Sequence, residues 1–184
     1  MLYEVRFAGL GGQGAVTAGK LLAEACAHEG RYVTQTQFYV GVIRDAAAVS
    51  NVRISDEPID FPWVIHPNAL MLFAQPVVAS NVPDLADGAV VVIDPLLVTD
   101  LNVPAEKQIR VLELPITELA DQVGRRVVGN VIAFAAMATV LELCSEDTIL
   151  RAVQDNVPQG TEEINLKAAK IGLTNASSLK LATS

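Results

Sequence analysis

Six short apolar runs, mostly bounded by Gly, Pro or Asp and separated by stretches of helical period, restrict the fold of this chain more than any other feature. The runs cover 3–7, 31–37, 50–55, 69–73, 89–94 and 109–114 and read as strands. Helical patterns occupy 13–29, 76–86, 115–121, 126–143, 145–156 and 162–173, with Gly30 placed to end the first and Ser145 to cap the fifth. Their alternation predicts an α/β fold: one doubly wound, mainly parallel, Rossmann-like sheet with right-handed crossovers and helices on both faces. The residue bias agrees, since 51% of the chain is hydrophobic but only 5% aromatic, as suits a parallel sheet buried on both sides. With 184 residues, no internal repeat and no flexible linker, one domain is expected over 1–174, followed by a flexible tail at 175–184. Residues 38–50, FYVGVIRDAAAVS, follow neither period and read as a long loop covered by another surface.

A net charge of −8 repels a phosphate backbone, which argues against nucleic-acid binding. The same charge repels an acidic electron carrier, so such a carrier would dock on another chain. The longest apolar run, VIAFAAMATVL at 131–141, falls short of the roughly 20 residues that span a bilayer, and MLYEVRF lacks the features of a signal peptide. The expected setting is therefore cytoplasmic, away from any membrane. Cys26 and Cys144 stand far apart without a second Cys or His at ligand spacing, so they read as separate buried thiols and as no metal or cluster site. His28 and His66 read as surface or packing residues.

Between the first strand and the first helix stands AGLGGQGAVTAG, residues 8–19, in which Gly9, Gly11 and Gly14 satisfy G-x-G-x-x-G. A dinucleotide site also wants an acid at the end of the second strand, and Val33 to Gln37 offer none. No P-loop lysine follows either. A helix N-terminus favours an anion by ~0.3 to 1 kcal/mol, whereas micromolar binding needs roughly 8 kcal/mol. Either further groups converge on the turn or it is a tight bend packed on neighbouring backbone. Gln13 could present its amide to a ligand or partner, or be a solvated helix-start residue. Arg44, the one cation between strands two and three, could hold an anion or bridge an interface. Asn130 suits a cap or an in-helix contact, Asp94 a turn before Pro95, and Trp63 either a partner anchor or the core.

The longer string GLGGQGAVTAGKLLAEACAHEGRYVTQTQFY resembles the gamma subunit, or gamma domain, of the thiamine-dependent 2-oxoacid:acceptor oxidoreductases. That group acts on pyruvate, 2-oxoisovalerate, 2-oxoglutarate and indolepyruvate. Similarity continues through NVRISDEPIDFP at 51–62, GAVVVIDP at 88–95, GNVIAFAAMATVLEL at 129–143 and NLKAAKIG at 165–172. The resemblance implies a subunit that is inactive alone, packed beside the thiamine diphosphate site of alpha and beta chains and, in some members, a delta chain. It implies oxidative decarboxylation of a 2-oxoacid to an acyl-coenzyme A. Thiamine diphosphate, Mg2+, iron–sulfur clusters and coenzyme A would be held on or with those other subunits, which would also meet a ferredoxin-type acceptor, although in some members the gamma domain itself contributes to binding coenzyme A, so this chain would help enclose coenzyme A or the substrate. Gly9, Gly11, Gly12, Gln13, Gly14 and Arg44 would face the shared site, with no catalytic residue and no metal ligand on this chain. One segment departs from the family's G-P-E-A-R-G-G-A-S-R after Tyr39: residues 40–49 read VGVIRDAAAV, keeping Arg44 and Ala47 but replacing Glu by Val42, the two glycines by Asp45 and Ala46, and the final Arg by Val49. This change implies an altered substrate, acceptor or partner contact and weakens a coenzyme A role. Two other readings stand beside it, a free-standing nucleotide-binding dehydrogenase and a purely structural scaffold.

Overall fold

The computed structural model describes residues 1–40 and 46–183. Six strands form a single sheet: β1 (Leu2–Leu10), β2 (Tyr32–Val40), β3 (Ala47–Ser55), β4 (Ala69–Leu72), β5 (Val90–Ile93) and β6 (Arg110–Glu113), in the order β2-β3-β1-β4-β5-β6. Each of the expected strands is present. The parallel pairs β1–β4, β4–β5 and β5–β6 make up the right half of the sheet. β3 is the exception to the expected parallel arrangement, pairing antiparallel with both β1 and β2. The connection from Val40 to Ala47 is too short for a parallel crossover, which needs a dozen residues or more, so the chain must double back. The long loop expected at 38–50 is correspondingly shorter, because Phe38–Val40 and Ala47–Val49 extend the two strands and pair with each other.

The helices are α1 (Ala15–His28), α2 (Val78–Asn81), α3 (Ile116–Val123), α4 (Gly129–Val140), α5 (Glu146–Asn156) and α6 (Glu162–Thr183). Ser145 caps α5 as its sequence position suggested, its hydroxyl accepting from the Thr148 N–H at 3.3 Å. The helix expected over 76–86 shrinks to a 3-10 turn at Gln75–Val77 and one turn of α2, since Pro83 can neither donate to nor fit a continuing helix. α6 instead runs through Thr183, past the boundary drawn at residue 174, with Ala176 fully buried and Leu179 against the core. Small Ala and Ser residues hide that apolar stripe from the periodicity.

Alternation along the strands divides the core in two. Val5, Phe7, Val52, Ile54, Met71 and Val92 point to one face, covered by α1, α3, α4, α5 and α6. α4 is enclosed on all sides, and Gly172 of α6 approaches it so closely that a Cβ would sit 2.5 Å from the Ile132 carbonyl oxygen. Ala8, Leu70, Leu72, Val91 and Ile93 point to the other face, covered by α2 and the irregular segments around Leu85 and Val98. Among the described residues no helix is long and apolar enough to cross a membrane.

Candidate functional site

Strands β1, β4, β5 and β6 end on the same edge of the sheet, and the connections leaving β1 and β4 cross to opposite faces. The carboxyl ends of β1 and β4 therefore flank a switch point, where a crevice opens in sheets of this type. The glycine-rich turn fills one side of it. Gly12 (φ +91) and Gly14 (φ +81) adopt left-handed conformations that side chains resist, and Gly14 starts α1 without a side-chain cap. A Cβ on Gly9 would fall 2.8 Å from Gln13 Oε1 and 2.9 Å from Phe73 Cβ, and one on Gly14 would overlap the Asn130 side chain. Gly9 is thus required by close packing, Gly12 by backbone angle and Gly14 by both.

Gln13 is committed at both ends of its amide. Its Oε1 accepts from the Leu10 N–H at 2.6 Å, and its Nε2 donates to the Phe73 carbonyl at 2.9 Å. The side chain thereby ties the β1–α1 turn to the residue following β4. Gly11 N–H donates to the Ala46 carbonyl at 2.9 Å, which fixes the turn against the start of β3. Arg44 lies outside the described residues.

Next to the turn lies a cavity of about 370 Å³ walled by Gly12, Gln13, Phe73, Thr117, Val127 and Asn130 among others. Of the expected site residues, Gly12 and Gln13 reach this wall, while Gly9, Gly11 and Gly14 hold the turn in shape behind it. The sequence reading missed the opposite wall, supplied by Phe73 and by residues 116–130. Phe73 could have been found from its place just after a buried strand at the carboxyl edge; the far segment carries no local signal. Asn130 is 8% exposed, and among the described residues its side-chain amide has no hydrogen-bond partner, so on this wall it is a buried polar group free to meet an occupant. Arg126 at the rim is engaged by Asp121 through two contacts of 2.9 and 3.2 Å, and this pairing holds the Asp121 carboxyl below its usual range.

Asp94, fully buried after β5, accepts from the Leu96 N–H at 3.0 Å and from the Thr117 N–H at 2.7 Å. It forms the turn the sequence suggested and also anchors the start of α3. Trp63 is 45% exposed and packs on Phe38 with ring centroids 5.4 Å apart. Phe61 and Ile65 extend this patch along the β2 edge.

The arrangement differs from a dinucleotide site in one decisive respect. There the second strand neighbours the first and its terminal acid reaches the ribose, whereas here β3 lies between β1 and β2. With strands spaced by about 4.8 Å, the end of β2 stands roughly 10 Å from the turn.

The sequence model of the pyruvate ferredoxin/flavodoxin oxidoreductase family matches residues 4–174. The 2-oxoglutarate synthase subunit KorC of Methanocaldococcus jannaschii is 36% identical over 181 residues, covering 97% of this chain and 96% of that one. The pyruvate synthase subunit PorC of Methanothermobacter marburgensis is 29% identical over 177 residues, covering 92% and 95%. Among solved structures, the gamma subunit of a keto/oxoacid ferredoxin oxidoreductase from Geobacter sulfurreducens is 32% identical, with a TM-score of 0.85 over 97% of this chain and 98% of that one.

Proposed function

Because this chain belongs to the pyruvate ferredoxin/flavodoxin oxidoreductase family, we propose that it is the gamma subunit of a multi-subunit 2-oxoacid:acceptor oxidoreductase, with its turn-side cavity forming one wall of the shared active site. The carrying observation is the end-to-end match to chains that are themselves subunits of 2-oxoglutarate and pyruvate synthases. Greater identity to KorC than to PorC makes 2-oxoglutarate the first substrate to test.

The chemistry of the cavity supports a lining role. Gly12 offers backbone, Asn130 an amide and Thr117 a hydroxyl, which can orient an occupant but cannot carry electrons. The residues do not fit the complex's cofactors: the described cavity wall holds no carboxylate for a magnesium diphosphate, and two cysteines cannot supply the four thiolates of a typical cluster. Thiamine diphosphate with Mg2+ and the iron–sulfur clusters are therefore assigned to the alpha, beta and, where present, delta subunits, with coenzyme A bound on or with them and this chain helping to enclose coenzyme A or the substrate. Those subunits would also meet a ferredoxin-type acceptor in the cytoplasm. Gly9, Gly11 and Gly14 shape the turn and Gln13 braces it, while Arg44, retained at its family position, is proposed to contact the occupant of the shared site or a partner chain. The exposed aromatic edge around Trp63 and Phe38 suits a neighbouring subunit.

Co-expression with the thiamine-binding subunits tests this reading. The complex is expected to reduce a viologen dye in the presence of a 2-oxoacid and coenzyme A, while the chain alone stays inactive and binds no NAD(P) at micromolar concentration by calorimetry. Turnover or tight dinucleotide binding by the isolated chain would return the dehydrogenase reading. Asn130→Ala separates lining from scaffold, because a scaffold role leaves KM and kcat per assembled complex unchanged.

A further inference from the structure

Cys26 and Cys144 are the chain's two cysteines and lie 118 positions apart, yet the fold sets their sulfur atoms 3.4 Å from each other. Cys26 belongs to the last turns of α1, and Cys144 to the connection between α4 and α5. The expectation of two separate thiols is corrected here. Beside them the Glu29 carboxylate accepts from the Ser145 N–H at 2.9 Å and from its hydroxyl at 2.8 Å, so the backbone flanking the pair is tied across the same junction. The two sulfurs differ in access: Cys26 is fully buried and Cys144 only half-buried. The hydrogen bond between the thiols, together with burial, raises the pKa of Cys26, with Arg31 opposing the shift. Cys144 is thus the sulfur that a reagent meets, and Cys26 stands directly behind it.

We propose that Cys26 and Cys144 are a dithiol that low-molecular-weight disulfides close to an intramolecular disulfide, stapling α1 to the α4–α5 connection. The Cys144 thiolate attacks one sulfur of the reagent RS–SR, giving Cys144–S–SR and releasing RS−. Cys26 then attacks the Cys144 sulfur and the second RS− leaves; the proton Cys144 lost on ionising ends on the first RS− and the Cys26 proton on the second. Two protein thiols are oxidised by two electrons, the reagent is reduced to two RSH, and atoms balance. The sulfurs need to approach by about 1.4 Å to reach bonding distance. No residue of the turn-side cavity takes part, so this site stands independently of the catalytic assignment.

The test uses the reduced full-length chain and oxidised glutathione. Both thiols should disappear together without covalent dimers on a non-reducing gel. Tryptic digestion should then yield residues 21–31 joined to residues 127–151, lighter by two hydrogens than the separate peptides and separated by dithiothreitol. Stapling so long a loop should raise Tm by roughly 5 to 15 °C. Cys26→Ser should trap glutathione on Cys144, and Cys144→Ser should leave Cys26 unmodified. Glutathione persisting on Cys144 of the wild-type chain, thiols that stay free, or an unchanged Tm after closure would each overturn the proposal, and no variant is needed to see them.

Discussion

The two faces of the sheet are covered by different means. On one side α1, α3, α4, α5 and α6 build a core of Ala, Val, Leu and Phe in which α4 is buried along nearly its whole surface. On the other, one turn of helix and several irregular segments cover the strands, and at that layer's centre lies a charge. Arg6 is 8% exposed, and its guanidinium donates to Asn51 Oδ1 at 2.8 Å, Asp84 Oδ2 at 3.2 Å, Asn81 Oδ1 at 3.4 Å and the Val64 carbonyl at 3.5 Å. Regular helices satisfy their own backbone, so apolar packing suffices on the first face. Irregular segments bring acceptors with them, and a five-donor fork can join several at once, offsetting the cost of burying its charge. The thin face also leaves Phe61, Trp63 and Ile65 partly in water. Stability is concentrated on one face, and exposed aromatic surface on the other.

The largest effect should come from the helical face. Phe134→Ala opens a cavity at a fully buried position and should lower unfolding free energy by roughly 3–5 kcal/mol in urea titration. A loss under 1 kcal/mol would mean that the helical layer is not the stabilising one. Arg6→Ala should follow at about 2–4 kcal/mol, because Asn51 and Asn81 lose their donor in a buried setting, while the half-exposed Asp84 adds little. Arg6→Met, which refills the volume, should not recover that loss; full recovery would show that packing and not donor supply makes this residue necessary. Trp63→Ala should cost no more than about 1 kcal/mol of folding stability, given its exposure, but should weaken assembly with the other subunits by tenfold or more in a pull-down titration. The reverse ranking would make the aromatic edge part of the core.

The smallest effect is electrostatic. Hydrogen bonds from the Thr148 hydroxyl and from the Ser145 N–H and hydroxyl lower the pKa of Glu29 below its ordinary 4.5. An acid with a depressed folded pKa stabilises above its unfolded value, and that contribution fades as pH falls through the folded one. Glu29→Gln should therefore cost about 0.5 kcal/mol at pH 7, a figure kept small by solvent screening, and the difference from wild type should shrink as pH falls below the ordinary 4.5 and vanish once the folded carboxylate is protonated.

Much of the fold was legible because helix and strand periods are written into short windows. The six strands, the cap at Ser145 and the position of the glycine turn all follow from neighbours within a few residues. Less of the site was legible. The family resemblance pointed to Gly12 and Gln13, which reach the cavity wall, but Gln13 turned out to bond inward at both ends, and Asn130 and Phe73 arrive from distant segments. In LYEVRF, alternation sets Arg6 opposite Val5 and Phe7, which by pattern means solvent; only the irregular layer over that face buries it.

The sequence by itself determined the elements, the sharp turn after β1 and the family, since each depends on residue types at short, fixed spacings. Tertiary structure decided the order of strands, which placed β3 between β1 and β2 and removed the geometry of a dinucleotide site. It also decided the meeting of Cys26 with Cys144 and the burial of Arg6. Those outcomes depend on how far a connection can reach and which surfaces must be covered, and such constraints act across tens of residues, and 118 for the cysteine pair, where no local pattern records them.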